Sequence, residues 1–183
     1  MTGVQTCALP IFREPLQRLL SAFKERYVPE APLRHKSRIF RQLIVLHLRP
    51  DDFNPQGIHE EYDVSFSEFI QYLSRNVTRN PPSRQYERMC HPCFINYDFI
   101  GHFETMGDDG PLALKMAGIA DRVTFPPIHQ ATDSDEVSEY FSQVPPEYIV
   151  QFGEQYRNDF EMFGYEYLGS VKHLLNKTIS DGH

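Results

Sequence analysis

Phe12-Arg13-Glu14-Pro15-Leu16-Gln17-Arg18-Leu19-Leu20-Ser21-Ala22-Phe23 is the stretch on which the reading of the chain turns. Leu16, Leu19, Leu20, Phe23 and Tyr27 recur at helical spacing and predict a helix over 14–27 with one apolar face. Arg18, Ser21 and Glu25 fall on the opposite, polar face. Pro15 suits the first turn, where its missing N–H is not needed. Phe12 and Arg13 then stand at the end of a strand that leads into this helix. A guanidinium at a strand end can grip a phosphate through two parallel hydrogen bonds. The amides that open the following helix favour the same anion. Arg13, Arg18 and Ser21 are therefore the candidate anion-binding residues. By spacing alone the run is first an ordinary amphipathic helix with a surface arginine.

The chain has 183 residues, 40% hydrophobic and 23% charged, which is enough for one globular domain with a core. Its 14 Phe and 10 Tyr, with no Trp, predict that aromatic burial dominates that core. A net charge of −7 argues against a general nucleic-acid binder. The charge is uneven, however. Arg34, His35, Lys36, Arg38, Arg41, His47 and Arg49 form a run without an acid among them. Such a run is either an anion-attracting patch or a solvated helix face. No apolar run approaches the length of a membrane span, and no signal peptide is readable. Residues 1–11 carry no period and read as a non-native leader. The domain proper is expected over 12–170, with 171–183 as a tail.

Further helices are predicted over 36–48, ending before Pro50, and over 65–73, where Ser65 and Glu68 make a capping box. The loop 51–62 precedes the second of these, and 75–88 should be irregular. A strand is predicted over 94–101, a helix over 108–117 and a short strand over 122–125. Helices over 133–143 and 146–163 close the order. The last buries a stripe of Ile149, Phe152, Tyr156, Phe160 and Phe163. The class is α/β, α-rich with a few parallel strands.

Residue identities sharpen this reading. The 12–23 run closely resembles the 3′-phosphate-binding motif of sulfotransferases, in particular the Golgi carbohydrate sulfotransferases acting on chondroitin, dermatan and N-acetylgalactosamine-capped glycans. Val64-Ser65-Phe66-Ser67-Glu68-Phe69-Ile70-Gln71-Tyr72-Leu73 resembles that family's Phe-x-x-Phe-x-x-Tyr-Leu helix. The run from Cys90-His91-Pro92-Cys93 through Tyr97-Asp98-Phe99-Ile100-Gly101 to Glu104-Thr105 is similar to its Cys-x-Pro-Cys, Tyr-Asp-x-Ile-Gly and Glu-Thr run. The ending over 156–165 resembles Tyr-x-x-Asp-Phe-x-Met-Phe-x-Tyr. These matches occur in order from Phe12 to about Tyr167.

The resemblance implies the C-terminal part of a sulfotransferase fold, a P-loop-like nucleotide-binding architecture. It implies 3′-phosphoadenosine-5′-phosphosulfate (PAPS) as co-substrate and no metal, with Arg13 and Ser21 on the 3′-phosphate and Arg18 beside them. It implies a glycan acceptor and a luminal Golgi location. The membrane anchor and the Lys-bearing 5′-phosphosulfate loop are expected upstream of these residues, so the chain alone is expected to be inactive. The other reading is a truncated paralogue that binds without catalysing. Where the family has Asn-x-His-Trp, this chain has Asn80-Pro81-Pro82-Ser83, and only the Asn survives.

Cys90 and Cys93 have the spacing of half a zinc site or a redox dithiol, but no second pair exists to complete a zinc tetrad. In a luminal protein they are expected in disulfides, with one another or with upstream cysteines. Asn76-Val77-Thr78 and Asn176-Lys177-Thr178 are glycosylation sequons compatible with that location. His102 and Glu104 each have the chemistry of a general base, and Glu104 is expected rather to cap or ion-pair with the next helix. Asp98 is expected to be a buried hydrogen-bonding residue in its strand.

Overall fold

Pro15 opens the first helix, α1 (Pro15–Arg26), and Leu16, Leu19, Leu20 and Phe23 are buried along one side of it, as the apolar spacing requires. The computed structural model describes residues 11–57, 61–76, 84–126 and 134–175. The other helices are α2 (Arg38–Leu48), α3 (Phe66–Asn76), α4 (Tyr86–Cys90), α5 (Met106–Met116), α6 (Ser134–Phe141) and α7 (Pro146–Met162). Two short strands, β1 (Ile11–Phe12) and β2 (Gly101–His102), pair in parallel with Ile11 opposite Gly101 and Phe12 opposite His102. The protein is thus α-rich with a small parallel sheet. It divides into two compact units, one of Met1–Glu14 with Gln85–Ala131 and one of Pro15–Arg84 with Thr132–His183.

The second unit carries the aromatic core. Helix α7 packs on α3, and α6 packs on α1 and α3. Ile149, Phe152, Tyr156, Phe160 and Phe163 are all buried, so the predicted stripe is the packed face of α7. Phe66 sets its ring edge-on to Phe23 at 5.2 Å and to Phe141 at 5.0 Å, while Phe152 stacks on Tyr156 at 4.1 Å. Edge-to-face and offset pairs of this kind add to area burial through the ring quadrupole. The capping box forms as predicted. The Ser65 amide donates to Glu68 Oε2 at 2.8 Å, and the Glu68 amide donates to Ser65 Oγ at 3.2 Å.

The basic run is not an open patch. Arg34 binds Asp63 at 2.7 Å and Glu61 at 3.2 Å, and Arg49 binds Glu68 at 2.9 Å. Arg41 is fully buried and donates to the Arg34 carbonyl at 2.7 Å and to Ser37 Oγ at 2.6 Å. Burial, then the neighbouring Arg34 charge, lower the Arg41 pKa. Acids brought in from beyond the run neutralise much of it, while His35 and Lys36 stay in solvent.

In the first unit the predicted strand over 94–101 shrinks to Gly101–His102. His91 ends α4 in the left-handed region at φ 48°. Its carbonyl accepts the amides of Phe94 at 2.9 Å and Ile95 at 3.0 Å. Those donors are therefore spent on a turn, and Phe94 is 90% exposed. Asp98 is exposed rather than buried. Residues 122–125 also form no strand, because Arg122 and Val123 both donate to the Ile119 carbonyl and turn the chain. Of the stretch 75–88 expected to be irregular, α3 runs to Asn76 and α4 starts at Tyr86, and residues 77–83 lie outside the described residues. Asn80–Ser83, Val77 and Thr78 of the first sequon, and the whole of the second sequon lie outside the described residues.

Candidate phosphate-binding site

Arg13 follows β1 directly, and the parallel pairing with β2 fixes where it emerges. Three contacts within the first unit hold it. Its amide donates to Tyr86 Oη at 3.2 Å. Its guanidinium carbon lies 4.5 Å from the centre of the Phe103 ring, a cation–π contact. The next amide, that of Glu14, donates to Glu104 Oε1 at 2.8 Å. Tyr86 also meets Phe12 edge-on, with ring centres 4.7 Å apart. Glu104 is therefore a cap, but for the residue that enters α1 and not for the helix that follows Glu104 in sequence.

The far end of β2 is pinned by Asp109. Its Oδ2 accepts the His102 amide at 2.8 Å and the Thr105 hydroxyl at 2.7 Å. The His102 amide, then the Thr105 hydroxyl, hold its carboxyl below the usual range. His102 is half-buried, with its backbone committed to β2 and to Asp109.

Arg18 and Ser21 belong to the second unit. Arg18 is nearly buried, and its Nη2 donates to the Arg84 carbonyl at 2.7 Å and lies 3.9 Å from Asp159 Oδ2. The Asp159 carboxylate is fully buried. Arg18 thus has an internal counter-charge that the sequence did not disclose. Ser21 is half-buried on α1. Cys90 is half-buried and Cys93 exposed, and neither is in a disulfide among the described residues. Among the described residues no group of three or more His, Cys, Asp or Glu could hold a metal ion, and no helix is long and apolar enough to cross a membrane.

Tyr86, Phe103 and Asp109 had no role assigned from sequence. Phe103 lies inside the Gly-His-Phe-Glu-Thr run, so its position in the motif was visible while its contact with Arg13 was not. A sequence model described as the sulfotransferase family matches residues 5–166. The chain belongs to the sulfotransferase family. The match takes in part of the segment read as a leader.

Relatives in this family carry a more specific name. Carbohydrate sulfotransferase 11 of Rattus norvegicus is 30% identical over 160 residues, covering 84% of this chain and 45% of the relative. Carbohydrate sulfotransferase 12 of Mus musculus is 32% identical over 166 residues, covering 84% of this chain and 38% of the relative. Carbohydrate sulfotransferase 10 of Danio rerio is 32% identical over 172 residues, covering 85% and 46%. The chain spans less than half the length of these relatives. No solved structure matches it significantly.

Proposed function

We propose that the protein containing this chain transfers sulfate from PAPS to a hydroxyl of a glycan of the chondroitin, dermatan or N-acetylgalactosamine type. The observation that carries this reading is Arg13, held at the end of a parallel strand in a chain of the sulfotransferase family. The residues fit the donor's 3′-phosphate. Arg13 has a fixed backbone and an oriented side chain, and Ser21 presents a hydroxyl two turns into the helix that follows. In this reading Arg13 grips that phosphate, the family resemblance assigns Ser21 to the same group, and Arg18 supports the fold of α1 through Asp159. The donor supplies the activated sulfuryl group. Sulfuryl transfer, like phosphoryl transfer, depends mostly on positioning and charge stabilisation with attacking and leaving oxygens in line. Arg13 and Ser21 contribute the positioning. The group that handles the 5′-phosphosulfate is expected in the sequence preceding this chain, and the isolated chain is expected to be inactive.

The same reading places the enzyme in the Golgi membrane through an anchor outside these residues, with this domain in the lumen. There Asn76 and Asn176 would carry glycans, and Cys90 and Cys93 would enter disulfides. The partner is a glycan acceptor and no nucleic acid. Calorimetry with 3′-phosphoadenosine-5′-phosphate on the full-length protein tests the central claim. Arg13→Ala should weaken binding by about 2 kcal/mol, roughly 30-fold, as for a truncated charge-assisted contact. Equal affinity in the two proteins would remove Arg13 from the site.

A further inference from the structure

Phe94 has its ring almost wholly in water, at 90% exposure, while its backbone is fixed. Its amide donates to the His91 carbonyl at 2.9 Å, the Ile95 amide donates to the same carbonyl at 3.0 Å, and Tyr97 Oη closes the turn on the Cys90 carbonyl. An ordered turn therefore holds the ring out with neither face covered. Beside it lies a recess of about 140 Å³, lined by Glu87, Arg88, His91, Pro92 and Cys93 together with Phe94. Arg88 and His91 are exposed, and among the described residues no carboxylate pairs with the Arg88 guanidinium. The recess is smaller than the pockets of about 300–1,000 Å³ that enclose drug-sized ligands, so it suits one ring of a longer chain rather than a nucleotide. An open aromatic face beside polar groups is what a sugar unit requires. One face of a pyranose presents C–H groups, which pack on the electron-rich face of an aromatic ring. Its edge presents hydroxyls that both donate and accept. A guanidinium beside them favours a sugar that bears an anion. The helix that supplies Glu87 and Arg88 is also tied to the phosphate site. Tyr86, the first residue of α4, accepts the Arg13 amide at 3.2 Å and meets Phe12 edge-on. The 5 residues of α4 span about 7.5 Å, so one short helix joins the recess to the tether of Arg13.

We propose that this recess is an acceptor subsite, in which the Phe94 ring takes the C–H face of one sugar unit of the glycan and Arg88 binds an anion on that unit, a uronate carboxylate or a sulfate ester. This rests on the reading of the protein as a glycan sulfotransferase. Glu87 and His91 face the hydroxyls of the same unit. The subsite narrows the acceptor to the anionic chains of the chondroitin and dermatan type, because a neutral N-acetylgalactosamine-capped glycan offers Arg88 no charge. A ring carried on an ordered turn loses little freedom when the sugar binds, so the contact contributes mostly to affinity.

The test follows sulfate transfer from PAPS by the full-length protein to unsulfated chondroitin, to carboxyl-reduced chondroitin sulfate and to a neutral glycan capped with N-acetylgalactosamine. Wild type, Phe94→Ala, Phe94→Tyr and Arg88→Gln are each measured, with thermal melting as a folding control. Phe94→Ala should raise KM for unsulfated chondroitin about tenfold and leave kcat and the KM for PAPS unchanged, as for lost uniform binding of the acceptor. Phe94→Tyr keeps the ring and should restore KM. Arg88→Gln should raise KM about fivefold on the acceptor that carries the bound anion. That acceptor is unsulfated chondroitin if Arg88 binds the carboxylate, and the carboxyl-reduced chain if it binds the sulfate ester. A wild type that transfers sulfate to none of these acceptors overturns the sulfotransferase reading itself. Transfer with the acceptor KM unchanged in Phe94→Ala, or unchanged in Arg88→Gln on both anionic chains, overturns the subsite alone. Transfer confined to the neutral glycan does the same. A Phe94→Ala protein that melts lower and loses kcat at unaltered acceptor KM has lost a packing contact with the rest of the full-length protein, which also overturns the subsite.

Discussion

Replacing Arg18 by Ala separates a structural role from a ligand-binding one. Arg18 is a candidate cofactor residue by sequence, yet its side chain is only 12% exposed and faces a carboxylate, Asp159, that is 0% exposed. Removing one partner of a buried pair leaves the other uncompensated, which costs about 3–5 kcal/mol. The 3.9 Å separation and the residual exposure of Arg18 point to the low end, and the lost bond to the Arg84 carbonyl works in the other direction. The expected loss is about 3 kcal/mol. With a urea m-value of about 2 kcal/mol/M, the unfolding midpoint should fall by about 1.5 M. Adding Asp159→Asn removes the carboxylate charge and should recover roughly half of this loss, about 1.5 kcal/mol, and the coupling exceeds that recovery by whatever Asp159→Asn costs alone. Urea unfolding followed by circular dichroism gives all four corners of the cycle. A midpoint for Arg18→Ala within about 0.3 M of wild type, together with weaker binding of 3′-phosphoadenosine-5′-phosphate, would refute the structural reading and return Arg18 to the phosphate site.

Three further outcomes are expected. Gly153→Ala should destabilise by about 1–3 kcal/mol in the same assay, because the new methyl would lie 2.7 Å from Tyr167 Oη and 2.9 Å from a Leu168 methyl. Ser65→Ala should remove one arm of the capping box and cost about 1 kcal/mol by thermal or urea unfolding. Asp109 gives a pH signature. Its folded pKa lies below the unfolded value of about 3.9, so its contribution is present above that pH and is lost as pH falls through the folded value. Melting curves of wild type and Asp109→Asn should therefore differ near neutrality and converge in acid, and a constant gap down to pH of about 2 would contradict the assignment.

What the sequence disclosed and what it hid divide along the range of the interactions. The α7 stripe, the Ser65–Glu68 box and the strand-to-helix step at Phe12–Pro15 depend on neighbours within a few residues, so spacing alone reveals them. The parallel pairing of β1 was readable as a class but not as a register. The strand expected over 94–101 failed because pairing is non-local. Its amides at Phe94 and Ile95 had a nearer acceptor in the left-handed turn at His91. The ion pairs of the basic run were hidden for a similar reason. Arg34 and Arg49 find Glu61, Asp63 and Glu68 only once the chain has turned back. The same distance hid the Glu104 cap on Glu14 and the Phe103 ring under Arg13. The strand-to-helix position of Arg13 was legible, but its supporting contacts were not.

Those contacts bear on where a bound nucleotide should be felt. Among the described residues the unit that holds Arg13 buries only Phe12 and Ala113 as apolar side chains, whereas the large aromatic cluster lies wholly in the other unit. Met89, Phe94, Ile100, Leu112, Met116 and Val123 of the first unit are exposed. Local opening free energies follow buried contacts, so the first unit should open at far lower free energy than α3 or α7. A ligand that binds only the closed form stabilises it by RT ln(1 + [L]/Kd), about 2.7 kcal/mol at a hundredfold excess over Kd. If Arg13 is the phosphate ligand, hydrogen exchange should slow around β1, Tyr86 and 101–109 on adding 3′-phosphoadenosine-5′-phosphate, by up to about a hundredfold. The amides of α3 and α7, already limited by the aromatic core, should change little. Protection confined to α3 and α7 would mean that the nucleotide binds away from Arg13, whatever its affinity.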